Sequence, residues 1–142
     1  MPNSKNYEMF RKKQTRLQLT SGPIDFPNGI AVVVNGETYF IKNHKCYPFV
    51  STRAKDSWNL VEYPVSVESL ADFPLAETSI GFRDGTLVRS IDSLDSVWII
   101  SDNRRRKIIN PDILTALTLN VKDAIVVSSK ELLIHKQGDD IG

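Results

Sequence analysis

The feature that most constrains this chain is an internal repetition. Pro27–Val50 reads PNGIAVVVNGETYFIKNHKCYPFV, and the stretch 81–109 follows the same plan, GFRDGTLVRSIDSLDSVWIISDNRRRKII. With Gly29 laid on Gly85, Ile30-Ala31-Val32 falls on Thr86-Leu87-Val88, and Thr38-Tyr39-Phe40-Ile41 on Val97-Trp98-Ile99-Ile100. Asn43-His44-Lys45 then meets Asp102-Asn103-Arg104, and Phe49-Val50 meets Ile108-Ile109. The match runs on through Trp58 and Leu60 on Leu117 and Leu119, Val65-Ser66 on Val127-Ser128, Leu70 on Leu132, and Ile80-Gly81 on Ile141-Gly142. The drift in offset along this alignment is what a longer loop and small insertions produce. Self-similarity over such a period predicts two copies of one small module.

Each copy is short enough for a separate core to be marginal, so packing one on the other is expected. The organisation expected is a basic N-terminal arm over 1–22, a first module over 23–80 and a second over 81–142. Ser21-Gly22-Pro23 is the breaker cluster between arm and module.

Within the first module, Ile30–Val34 and Glu37–Lys42 flank Asn35-Gly36, a hairpin signal because both turn residues accept positive φ. A turn at Asn43-His44 leads to a third strand over 45–50, where Pro48 removes a donor and predicts an edge strand or an early end. Ser51 or Thr52 caps a helix reaching about Leu60, a strand over 62–67 is interrupted by Pro64, and a helical turn follows over 66–73. The second module predicts strands over 86–91 and 96–101, a loop over 92–95, a turn at Asp102-Asn103 and a strand over 104–109. Asn110-Pro111 starts a helix whose Ile113, Leu114 and Leu117 form its buried stripe. A strand over 123–127 follows, and then a capping box, Ser128 with Glu131. The fold class expected is α+β, strand-dominated: in each copy a three-stranded meander, a short helix, a strand and a helical turn.

The formal net charge of +1 is unevenly distributed. Lys5, Arg11, Lys12, Lys13 and Arg16 stand in the arm against Glu8 alone, which makes the arm a candidate for docking on an acidic neighbour or for reaching a nucleic acid. With Cys46 as the only cysteine, no internal disulfide can form. The segment after Met1 is polar, so no export signal is expected. Nor does any run reach the ~20 apolar residues of a membrane span.

No residue pattern argues for catalysis. His44, Cys46 and His135 are too few and wrongly spaced for a structural zinc site, so no metal or other cofactor is expected. No nucleophile elbow is present, Asp139-Asp140 reads as solvated charge in a connecting tail, and Asp84-Gly85 lacks the continuation of a phosphate loop. Arg104-Arg105-Arg106-Lys107 is the compact basic cluster. Side chains alternate faces along a strand, so only part of it would meet a phosphate backbone. A charged edge strand, protective or partner-facing, is favoured over nucleic acid. Tyr39 and Trp98, at equivalent positions inside apolar strands, are expected to pack in the core.

Asp84-Gly85-Thr86-Leu87-Val88, Val97-Trp98-Ile99-Ile100, the basic turn, Asn110-Pro111-Asp112 and Val126-Val127-Ser128 with Leu132 together resemble a known repeat. It occurs in multi-repeat extracellular and cell-surface proteins of bacteria and in structural proteins of tailed-phage virions. The resemblance spans residues 24–142. The first copy departs from it, with Pro27-Asn28-Gly29 in place of the Asp-Gly start and no proline after the basic turn. It implies packing motifs and no active site. Combined with the absent export signal, it implies a minor structural component of a tailed bacteriophage virion, at the tail tip, baseplate or neck. The partners implied are other virion proteins in a symmetric assembly, reached through Lys5, Arg11, Lys12, Lys13 and Arg16 and through Arg104 to Lys107. The alternatives are an adhesion module for host-surface polysaccharide and a nucleic-acid-binding accessory domain.

Overall fold

Asn35 and Gly36 take φ of 52° and 80°, which closes a two-residue hairpin between β1 (Ala31–Val34) and β2 (Glu37–Lys42). Both central residues of such a turn must be left-handed to match the strand twist. Asn43 and His44 repeat the geometry at φ of 50° and 57° and lead into β3 (Lys45–Pro48). Asn tolerates this region because its short amide bonds to the local backbone. In this computed structural model, residues 22–142 are described.

The chain divides into two compact units. One takes the described chain up to Pro48 together with Leu60–Thr78; the other takes Phe49–Asn59 and Ser79–Gly142. The helix α1 (Thr52–Trp58) therefore belongs to the second unit. Both units are strand-dominated with few helices, an α+β architecture built on two mixed sheets.

The first unit carries a four-stranded sheet in the order β3-β2-β1-β4. β4 (Glu62–Pro64) runs parallel to β1, with Val32 opposite Tyr63. β3 stops at Pro48 on the margin of this ladder, as a residue without an N–H requires. A 3₁₀ turn over Glu68–Leu70 follows. Val32, Ile41, Cys46 and Phe73 form the core, with Phe26, Ile30, Tyr39, Val65 and Leu70 packed against them.

The second unit carries a five-stranded sheet in the order β8-β5-β6-β7-β9. β5 (Leu87–Ser90) pairs with β6 (Ser93–Ser101), and the register shifts between Arg89 and Ser90. β6 thus begins at Ser93, where a loop was expected. Asp102 and Asn103, at φ of 54° and 61°, turn the chain into β7 (Arg104–Lys107). β8 (Ile125–Val127) is parallel to β5, and β9 (Lys136–Gln137) is parallel to β7. Two clusters fill this unit. The first joins Ala54, Phe82, Val88, Ile100, Val127 and Leu132; the second joins Leu87, Val97, Leu114 and Ala124.

Three helices are described. α1 is capped by Ser51, whose hydroxyl oxygen accepts the Ala54 N–H, and closes at Asn59 in the left-handed region. α2 (Asp112–Ala116) starts where Asn110 Oδ1 accepts the Asp112 N–H at 2.9 Å. α3 (Ser129–Leu133) has the capping box expected from Ser128 and Glu131.

Two further expectations fail here. Leu117 is 52% exposed and only Leu114 is buried, because α2 ends after five residues, too soon to bring round a third apolar position. The residues after α3 are no free tail: Lys136–Gln137 form β9, and Ile141 bridges to Ile108.

Candidate functional site

Two buried polar centres, both in the second unit, gather its most perturbed ionisable groups. The first is Glu131, whose side chain is only 4% exposed. Its Oε1 accepts the Ser128 N–H at 2.9 Å and closes the capping box. The same carboxylate reaches the start of α1: Oε2 accepts from the Ser51 hydroxyl at 2.6 Å and from Arg53 Nε at 3.1 Å. Oε1 takes Arg53 Nη2 at 2.5 Å, which completes a two-pronged guanidinium–carboxylate pair. Arg53, followed by these bonds, holds the Glu131 pKa at about 2 against the opposing pull of burial. A carboxylate that accepts from four donors in this way stays ionised at neutral pH.

The second centre is His135, fully buried. Its Nε2 accepts the Phe82 N–H at 2.9 Å, so the ring proton sits on Nδ1 and points to the Asn103 carbonyl at 3.1 Å. Burial pushes its pKa down, against the pull of the Asn103 carbonyl and of Asp84. The imidazole is thus a neutral brace with both nitrogens engaged. The lone thiol, Cys46, lies in the core of the first unit, and burial raises its pKa, the reverse of what a reactive cysteine needs.

The basic strand has a different setting from the one the sequence suggested. β7 is not an edge strand, because β9 pairs along it with Arg104 opposite Lys136 and Arg105 opposite Gln137. The residues that cover it lie beyond α3, in a stretch with neither a β-branched run nor alternation to mark a strand. Arg105 lies over the Trp98 ring, 5.4 Å from its centroid, and its Nη1 donates to the His135 carbonyl. Arg104 and Arg106 flank Gly138, where a Cβ would meet Arg106 Cγ at 3.0 Å and Arg104 Cβ at 3.3 Å. Arg106 Nε also donates to the Asp139 carbonyl at 2.9 Å. Lys107 is opposite Trp98. Arg105 is thus tied into the fold, whereas Arg104 stays exposed. Lys5, Arg11, Lys12, Lys13 and Arg16 lie outside the described residues.

Open depressions lie in both units. In the first, one lies between β3 and the stretch Pro74–Thr78, lined by Lys45, Tyr47, Leu75 and Glu77. In the second, one lies beside the Asp102-Asn103 turn, lined by Arg104, Ile134 and Lys136. Neither is lined by Glu131, His135 or Cys46. His44 sits on its exposed turn 3.6 Å from Asp25. Among the described residues no three His, Cys, Asp or Glu side chains stand together as metal ligands. No described helix is long and apolar enough to cross a membrane.

Sequence reasoning found the capping role of Glu131 but not its grip on Arg53, which lies 78 residues earlier. It also left His135 without a role, since nothing near it in the chain marks burial.

No family model matches this chain, and no curated protein matches it. Among solved structures, one similar chain belongs to the periplasmic assembly from the ESX-5 inner membrane complex, at 14% identity and a TM-score of 0.34. The match covers 87% of this chain but only 42% of that one.

Proposed function

We propose that this chain is a doubled structural module, without catalysis of its own, that docks on neighbouring proteins in a larger assembly. One observation carries the reading: a single hydrogen-bonded frame recurs at the positions the sequence alignment pairs. Gly29 donates to the Ile41 carbonyl at 2.8 Å, and Gly85 to that of Ile100 at 2.6 Å. Asn28 Oδ1 accepts the Asn43 N–H at 2.9 Å, and Asp84 Oδ1 accepts that of Asn103 at 2.9 Å. Val50 donates to Ile80, and Ile109 to Ile141. The order β3-β2-β1-β4 corresponds to β7-β6-β5-β8. Duplication of one module accounts for all of these at once.

The non-enzymatic part of the reading draws on Glu131 and His135. Glu131 and His135, both buried in the second unit, spend their bonding capacity on holding helix starts and turns. Active sites concentrate such groups in clefts; here they serve as internal ties.

The setting we favour is the virion of a tailed bacteriophage, as a minor tail, tail-tip, baseplate or neck component. The sequence resemblance supports that choice. The arm residues Lys5, Arg11, Lys12, Lys13 and Arg16, with the exposed Arg104, are its candidate contacts with adjacent chains. Mass spectrometry of purified particles tests it. A stoichiometric, particle-associated chain is expected, and particles lacking it would overturn the setting.

A further inference from the structure

Within the second unit, one helical face of Phe49–Asn59 is spent on packing. Val50 and Ala54, four apart, join Phe82, Val88, Ile100, Val127 and Leu132. Four residues on, Trp58 Nε1 donates to the Gly81 carbonyl at 2.8 Å. The matching residues of the second module are fixed at both ends. Val50 and Ile109 make the same backbone bond, and Asn59 and Thr118 occupy the same left-handed position at φ of 49° and 59°. Ile109, Ile113 and Leu117 therefore stand where Val50, Ala54 and Trp58 stand. All three are apolar; Ile109 and Leu117 are largely uncovered, 56% and 52% exposed, and Ile113 is half-buried.

The receiving face shows the complementary deficit. Phe82, Val127 and Leu132 are buried to 2%, 1% and 8% exposure beneath the helix segment. Their counterparts Phe26, Val65 and Leu70 in the first unit are only partly buried. Among the described residues, a packing completed once is thus left half-made twice, as an uncovered apolar face around α2 and an under-covered core.

We propose that copies of this chain associate head to tail. Ile109, Ile113 and Leu117 of one copy seat on the Phe26, Val65 and Leu70 face of the next. The second unit's face is already covered by the chain's own Phe49–Asn59 segment, and charge disfavours it as well. Where Arg53 meets Glu131 in the completed packing, the helix of the second module carries Asp112. On the second unit's face Asp112 would confront Glu131, carboxylate against carboxylate. On the first unit's face the position of Glu131 is taken by Ser69, which adds no charge. Such an interface joins unlike surfaces, so it builds rings or open chains and not a two-fold dimer. The inference rests on the duplication reading.

Sedimentation velocity on the full chain, from micromolar to millimolar concentration, tests the proposal, with circular dichroism verifying the fold of each variant. The wild type is expected to associate in a concentration-dependent series. Leu117→Asp and Ile109→Asp on the helix face, and Val65→Asp on the acceptor, each weaken association at least about tenfold. Phe26→Ser replaces Val65→Asp should the latter unfold. A mixture of Leu117→Asp with the acceptor variant forms dimers and nothing longer, because each partner keeps one intact half. A chain that stays monomeric throughout overturns the proposal. So does association that ignores both helix-face substitutions, or that vanishes only on removal of residues 1–21. A monomeric chain still found in particles would sink this inference alone, whereas self-association of a chain absent from particles would sink only the virion setting.

Discussion

His135 and Gly81 meet at a distance that leaves no room for a side chain. A Cβ on Gly81 would fall 2.6 Å from the ring Cε1 and 3.0 Å from Ile134 Cγ2. The ring cannot withdraw, because it is fully buried and bonded through Nε2 to Phe82 and through Nδ1 to Asn103. The glycine is therefore required by packing. Gly29 is the opposite case, with φ of 92° and nothing within 4 Å of an added Cβ.

Gly81→Ala is expected to cost about 1–3 kcal/mol, the usual range for forcing volume into a filled interior. Gly29→Ala should cost about 1–2 kcal/mol, the penalty of holding an L-residue in left-handed backbone. Thermal melts separate the two causes through a second variant. His135→Ala opens space beside residue 81, so Gly81→Ala should cost less in that background, while the cost at Gly29 stays fixed. Equal costs at Gly81 in both backgrounds would refute the packing argument.

His135 also sets an acid limit on stability. Burial lowers its pKa from an ordinary 6.5, so as pH falls the unfolded chain takes up the proton first. Its contribution is complete above pH 6.5 and is lost as pH falls through the folded-state value. Denaturant unfolding between neutral pH and pH 5 should show that decline. A His135→Gln variant keeps polar atoms but cannot titrate there, and should flatten it. A slope unchanged by the substitution would mean that another group is responsible.

Much of this architecture was legible in the sequence. Asn35-Gly36 and Asp102-Asn103 announced their turns because few residues tolerate two left-handed positions in succession. Ser128 and Glu131 announced a helix start because capping acts within one turn of chain. What stayed hidden depends on distant partners. The pairing of β9 with β7 is set by what lies beside it, and Lys136-Gln137 carries no strand signal of its own. Leu117 has the spacing of a buried stripe, but α2 ends before it, and spacing alone does not reveal where a helix stops. The placement of α1 in the second unit is hidden for the same reason, since Ser51 and Arg53 find their carboxylate 80 and 78 residues away.

Glu131 governs a lower pH window. Its pKa of about 2 lies below the ordinary 4.5, so its contribution is present above pH 4.5 and lost as pH falls toward 2. Because Arg53 is more than half exposed, solvent screening holds that contribution to roughly 1–2 kcal/mol. Arg53→Met leaves the carboxylate buried without its cation. It should lower stability at neutral pH and move the acid transition upward. Glu131→Ala strips Ser51, Arg53 and the Ser128 N–H together, and should cost about 2–3 kcal/mol. Acid titrations followed by circular dichroism distinguish these outcomes; an Arg53→Met curve that overlays the wild type would show the pair to be energetically idle.

Asn28 and Asp84 give the most direct test of whether the two modules are one design. Each side chain accepts one backbone N–H at 2.9 Å across its turn, from Asn43 and from Asn103. Both bonds are exposed, so removing either acceptor should cost about 1 kcal/mol. The two sites share no partner, so Asn28→Ala and Asp84→Ala should add in the double variant to within about 0.5 kcal/mol. Asp84→Asn keeps the acceptor oxygen and should recover most of the loss, making the second turn chemically the same as the first. Asn28→Asp should likewise be tolerated. If the amide and the carboxylate fail to substitute for each other at both turns, the shared hydrogen-bonding frame is a coincidence of spacing, and the duplication argument loses its chemical basis.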